Sequence, residues 1–157
     1  MKITLLLNGK TDKNFVQEAI NQYAERMKKY VPFEIKVIPP PKKSKHLPEE
    51  QYKQEEARLI EKFIQPSNHL VLLDEKGKSM NSKKFAGFIQ EKMNHGIKNL
   101  IFVVGGHYGF PDTLKRKAQG LVSLSEMTFS HQVVRVMFME QLYRSMTILN
   151  NEPYHNE

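Results

Sequence analysis

His131 and Arg135 stand one helical turn apart near the C-terminus, and Glu140 and Arg144 repeat the interval. An imidazole exchanges a proton near neutral pH. A guanidinium holds a phosphate or a carbonyl oxygen that gains negative charge. Glu140 precedes Arg144 in the order that favours an ion pair, so this second pair also reads as scaffolding. Further back, Gly105, Gly106 and Gly109 follow an apolar run, and glycines there let a ligand approach the main chain. Their G-G-x-x-G spacing is neither the dinucleotide fingerprint nor a P-loop, and a tight turn leaving a strand would use the same residues. Ser123 and Ser125 precede His131, but no acid completes a triad and no G-x-S-x-G occurs, which disfavours nucleophilic catalysis. The six histidines lack the short spacing of a metal site and there is no cysteine, so no metal centre is expected.

These residues need a frame, and the sequence supplies one. Apolar runs at 3–7, 69–73, 100–104 and 121–124 read as strands, and 33–38 alternates with period two. Helical patterns occupy 14–30, 48–63, 82–93 and 111–119, with Asp12 or Asn14 as cap of the first and Phe15, Ala19, Tyr23 and Met27 as its inward stripe. Ser82 to Met93 would face inward through Phe85, Ala86, Phe88, Ile89 and Met93, and His95-Gly96 would close it. DEKGKS at 74–79 reads as a turn and PPPKKSKHLP at 39–48 as a connector, or as a basic arm touching phosphate. Strands interleaved with helices predict one α/β domain, a mostly parallel sheet flanked by helices. Ligands then belong in the loops after residues 73, 104 and 122.

From residue 131 onward the final helix is apolar around its whole circumference: Val133, Met137, Phe138, Leu142 and Met146 point in all directions. Such a helix is buried on every side, in the core or against a second subunit, so a homodimer is expected. Composition limits the rest. Hydrophobic content of 39% and charged content of 26% are those of an ordinary soluble globular chain. The start, MKITLLLNGK, is too short for a signal-peptide core and no stretch has transmembrane length, so a soluble cytoplasmic protein with no membrane partner is expected. A net charge of +7 suits a polyanionic partner such as nucleic acid.

LLDEKGK at 72–78, FVVGGHYGF at 102–110, SLSEMTFSHQVVR at 123–135, EQLYR at 140–144 and PYH at 153–155 together resemble the ribosomal large-subunit methyltransferase H family, of the SPOUT class of S-adenosylmethionine-dependent RNA methyltransferases. The resemblance spans residues 1–157 as one domain. It implies a C-terminal trefoil knot, which general topology rules would not suggest. It also implies a homodimer with its pocket near the dimer contact, and N3 methylation of a pseudouridine in a stem-loop of 23S ribosomal RNA on assembled ribosomes. By the same resemblance S-adenosyl-L-methionine would lie against Leu73, Gly105, Leu124, Ser125, Glu126, Met127, Thr128 and Phe129. His131, Arg135, Arg144, Tyr154 and His155 become candidates for holding the RNA or helping N3 lose its proton. The chain departs from its relatives at His107-Tyr108, bulkier than usual after the paired glycines, and at Asn156, where relatives often carry Lys or Arg. Two alternatives stand beside this reading: a basic ribosome-binding factor with a degenerate pocket, and a SPOUT methyltransferase acting on tRNA.

Overall fold

The apolar runs fold as strands because both faces of the sheet they form are covered. The computed structural model describes residues 1–42 and 44–156. In chain order the elements are β1 (Lys2–Asn8), α1 (Asn14–Met27), β2 (Phe33–Ile38), α2 (Glu49–Glu61), β3 (His69–Ser79), α3 (Ser82–Asn94), β4 (Asn99–Val104), α4 (Asp112–Lys117), β5 (Gly120–Ser123) and α5 (Val133–Leu149). All strand pairs are parallel, in the order β2-β1-β4-β3-β5. Alternate side chains divide the core. Leu5, Leu7, Val71, Phe102 and Val104 pack with α1, α3 and α5 on one face. Leu6, Leu72, Ile101 and Val103 pack with α2 and α4 on the other. Each such side chain taken wholly out of water contributes about 1.5–3 kcal/mol, and a strand buried on both sides needs no polar alternation.

Local signals act as their chemistry dictates at α3. The Asn81 side chain accepts from Lys84 N at 2.9 Å to cap the first turn, and Gly96 at φ +70° ends the helix. The alternating β2 lies at the sheet edge, which explains its half-exposed pattern. Residues 44–46 form a single 3-10 turn within the basic stretch 39–48; Lys43 of that stretch lies outside the described residues, as does Glu157 of the tail.

Three expectations are corrected. The buried residues of α1 are Val16, Ile20 and Met27, with Tyr23 packed against the same core; Met27 and Tyr23 face inward as expected, whereas Phe15 is 67% exposed and Val16 and Ile20 take the places expected of Phe15 and Ala19. Neither Asp12 nor Asn14 caps α1, whose cap position is Lys13 with no side-chain bond. The segment 74–79 is no turn: β3 runs through it to Ser79. Val122 of β5 pairs with Leu73 and again with Lys78, so the residues between make an excursion and return to the same partner. At the return, Gly77 crosses the β5 main chain so closely that a Cβ there would stand 2.6 Å from Leu121 C and Val122 N. Only glycine fits.

Candidate active site

A cavity of about 700 Å³ opens beside the β3 excursion and at the carboxyl ends of β4 and β5, within the size range of small-molecule sites. Leu73, Gly105, Leu124, Ser125, Met127, Thr128 and Phe129 line it; Glu126 does not. The segment between β5 and α5 is shaped by its own hydroxyls. Ser123 Oγ donates to Ser125 O at 2.9 Å, Ser125 Oγ accepts from Met127 N at 2.9 Å, and Ser130 Oγ accepts from Val133 N at 3.2 Å at the start of α5. These short side chains replace the ladder bonds that an irregular segment lacks. Thr128 Oγ1 donates to Glu75 Oε2 at 3.2 Å, tying the segment to the β3 excursion. Asp74, almost buried, pairs with Lys115 of α4 at 2.8 Å and accepts from Lys76 N.

The glycine corner after β4 has three separate reasons for its glycines. Gly109 takes φ +73°. A Cβ on Gly105 would meet the Phe110 ring at 3.0 Å, and one on Gly106 would meet the Glu56 carboxylate at 2.5 Å. His107 and Tyr108, both exposed, pack over Tyr52 of α2, with ring centroids 5.4 Å from it in both cases, and His131 stands 6.2 Å from His107. Both line the cavity. His131 lines it too, and burial first, then Arg135 and His107, hold its pKa below the usual value, Asp12 pulling the other way. That direction favours the neutral ring, the form that can accept a proton.

Arg135 does not reach the cavity. It is wholly buried, and its guanidinium donates to Asn8 O at 2.7 Å, Thr11 Oγ1 at 2.9 Å, His131 O at 3.0 Å and Gly9 O at 3.2 Å. Gln132 adds a second clasp, accepting from Asp12 N and donating to Lys10 O, each at 3.2 Å. Together they fasten the start of α5 to the β1–α1 loop.

The family described as "Predicted SPOUT methyltransferase" matches residues 1–155. The chain belongs to the SPOUT methyltransferase family. It is 53% identical to the "Ribosomal RNA large subunit methyltransferase H" of Parabacteroides distasonis over 157 residues, the full length of both chains. Proteins of the same name from Flavobacterium johnsoniae and Christiangramia forsetii are each 50% identical, covering 100% and 99% of both chains. A probable methyltransferase of Bordetella pertussis shares the fold, with a TM-score of 0.56 at 10% identity over 92% of this chain and 93% of that one.

In this SPOUT methyltransferase the remaining candidates gather elsewhere. Arg144 Nε donates to Glu140 Oε1 at 3.0 Å, Tyr154 O–H donates to the same oxygen at 3.2 Å, and His155 Nδ1 lies 3.3 Å from Arg144 Nη1. The guanidinium sits 4.8 Å from the Tyr154 ring centre. Burial pushes the Tyr154 phenol up to about 12, with help from Tyr23 and Glu140, so it stays a donor at every physiological pH. Glu152, held by Tyr30 O–H at 2.7 Å, anchors the tail that carries this group. None of the three lines the cavity. Arg144 lies eleven residues beyond Val133, the first residue of α5, about 16 Å along the helix, and His131 precedes that start. Val133 and Met137 on the outer face of α5 are exposed, so the helix is not buried all round within one chain. Among the described residues no three His, Cys, Asp or Glu side chains could hold a metal ion, and no helix is long and apolar enough to cross a membrane.

Sequence reasoning missed Glu56, Asn8 and Gln132. The one available signal for Glu56 was its place between Tyr52 and Ile60 at i, i+4, i+8 on the inward face of α2.

Proposed function

We infer that the cavity takes S-adenosyl-L-methionine and that the protein methylates N3 of a pseudouridine in a stem-loop of 23S ribosomal RNA on assembled ribosomes. The observation that carries this reading is a cavity whose wall at Leu73, Gly105, Leu124, Ser125 and 127–129 is main chain and neutral side chains, with charged groups such as Asp74, Glu75 and Lys115 on other parts of the lining, in a chain whose full-length relatives are named for ribosomal RNA methylation. The residues fit the cofactor. Peptide N–H and C=O groups beside Gly105 and Leu124 can pair with adenine, and Leu73, Leu124 and Phe129 supply apolar surface for its faces. The cofactor brings an activated methyl group, which leaves the chain three tasks: to align N3, exclude water, and remove the N3 proton. His131, which lines the cavity and whose lowered pKa favours the neutral ring, is our candidate to accept that proton. Arg135 acts through it, since it holds the His131 carbonyl and the β1–α1 loop behind it.

The tail group, with Arg144 as its cation, has the chemistry to hold a phosphate or the carbonyl charge that grows as the imide ionises. A single chain separates it from His131, whereas a homodimer can bring the tail of a second copy to the cavity. Met127, Phe129, Val133 and Met137 are exposed beside the cavity, and this apolar stripe is the surface such a dimer would cover. The β3 excursion that crosses β5 at Gly77 is compatible with the trefoil knot of the family. The +7 charge suits RNA, and ribosomes place the activity in the cytoplasm. Methyl transfer from labelled S-adenosyl-L-methionine to assembled ribosomes, isolated subunits and tRNA tests the reading. Transfer to assembled ribosomes at N3 of a pseudouridine is expected. Transfer to tRNA alone would move the substrate, and absence of any cofactor binding would leave a binding factor.

A further inference from the structure

Glu56 is a buried carboxylate to which the mechanism above gives no task. It is 4% exposed on α2, and its carboxyl presses against the Gly106 main chain, 2.5 Å (Oε1) and 3.0 Å (Oε2) from where a Cβ would stand. The groups that favour its ionised form are the Gly106 N–H and the Asn8 amide beside it; neither is a cation. Asn8 is itself buried, and neither amide atom makes a hydrogen bond of ordinary geometry, while its carbonyl is held by Arg135. Next along the chain, the Phe110 ring closes on Gly105, which lines the cavity. A buried acid with no cation destabilises a fold unless its contacts repay it, and these contacts all converge on one corner of the cavity.

We propose that Glu56 is a positioning residue for the cofactor: its carboxyl, seated against Gly106 and Asn8, sets where the Gly105 main chain stands and with it the affinity for S-adenosyl-L-methionine. The proposal rests on the reading of the cavity as the cofactor site. Burial pushes the carboxyl up to about 7, so near neutrality the Gly106 N–H meets either a charged or a neutral acceptor. The charged one holds it more tightly. The other titratable or charged groups around the corner are Tyr52 on the same helix, His107 and Tyr108 on the glycine loop, and Arg135 reaching Asn8 from α5.

The test is calorimetric titration of the full chain with S-adenosyl-L-methionine at pH 6 and pH 8, together with the pH dependence of the Gly106 amide resonance. The wild type should bind about fivefold more weakly at pH 6, and its Gly106 resonance should titrate near neutrality. Glu56→Gln, which keeps the shape and can still accept from Gly106, should bind equally at both pH values and show no Gly106 titration. Glu56→Ala, which removes the seat, should bind more weakly than wild type at pH 8. A Glu56→Gln chain that keeps the wild-type pH dependence of both signals overturns the proposal, whatever Glu56→Ala does to folding. A wild type that binds no cofactor at either pH while Gly106 still titrates overturns the cofactor reading, and the proposal with it.

Discussion

Arg135 decides between two accounts of the SHQVVR segment, and its removal has a calculable consequence. The side chain is fully buried and makes four hydrogen bonds, three of them to main-chain carbonyls of Asn8, Gly9 and His131. Arg135→Met keeps the apolar stem but strands those carbonyls. A buried polar group left without a partner costs about 1–3 kcal/mol. The losses overlap, because all three lie on one guanidinium, and truncating one side of a buried charged network costs about 3–5 kcal/mol. That is a large share of a typical domain's stability. Arg135→Lys has one ammonium in place of a planar fork and can satisfy only part of the set, so it should recover less than half of the loss. Urea denaturation followed by circular dichroism, at fixed protomer concentration, measures both differences. If Arg135→Met lies within about 1 kcal/mol of wild type, or Arg135→Lys matches wild type, the guanidinium is not a structural clasp and the reasoning fails.

Glu56 gives stability a pH dependence of predictable sign. Its folded pKa, about 7 against an ordinary 4.5, is raised, so the native state binds the proton more tightly and stability falls as pH rises from 4.5 to 7, then levels off. That interval corresponds to about 3 kcal/mol; Glu56→Gln should remove this component, and melts at pH 5 and pH 8 compare the two chains. Gly77→Ala, with a Cβ 2.6 Å from the β5 main chain, should lose at least about 2 kcal/mol. The control Gly120→Ala, 3.5 Å from Val71 Cγ2, should lose less than about 1 kcal/mol in the same thermal melts. Sharing of one site between two copies predicts complementation. His131→Ala and Arg144→Ala, each inactive alone, should recover up to about a quarter of wild-type methyl transfer when refolded together, because half the dimers then carry one intact site; no recovery means that the tail serves its own chain.

The sheet was legible because its information is local. Runs such as residues 100–104 are apolar without alternation, and only a strand covered on both faces uses such a run. The ends of α3 were legible for the same reason, Asn81 and Gly96 acting within their own turn. The segment 74–79 was not, because DEKGKS carries turn-like residues and becomes strand only by pairing with β5 some forty residues on. Phe15 misled because an aromatic at helical spacing suggests a core position, while Val16 and Ile20 set the phase of the helix against the sheet. Arg135 was the hardest to read. Its partners are carbonyls of residues 8 and 9, and a main-chain acceptor leaves no mark in a sequence. From side chains alone, an arginine one turn from a histidine reads as a ligand-binding pair, and the fold uses it as a clasp.

The cavity therefore depends on a segment that does not line it. Three of its walls are the β3 excursion, the glycine corner after β4 and the segment after β5, beside side chains of α2, α4 and α5. Each is held by a polar contact to something else: Thr128 to Glu75, Asp74 to Lys115, Gly106 to Glu56. The β1–α1 loop closes the set from behind, since Asn8 meets Glu56 through its side chain and Arg135 through its carbonyl, and Arg135 in turn fixes the main chain of His131. That loop is therefore linked to the glycine corner through Glu56 and to the main chain of His131 through Arg135. Asn8 thus stands between the glycine corner, through the Glu56 carboxyl, and the start of α5, through Arg135.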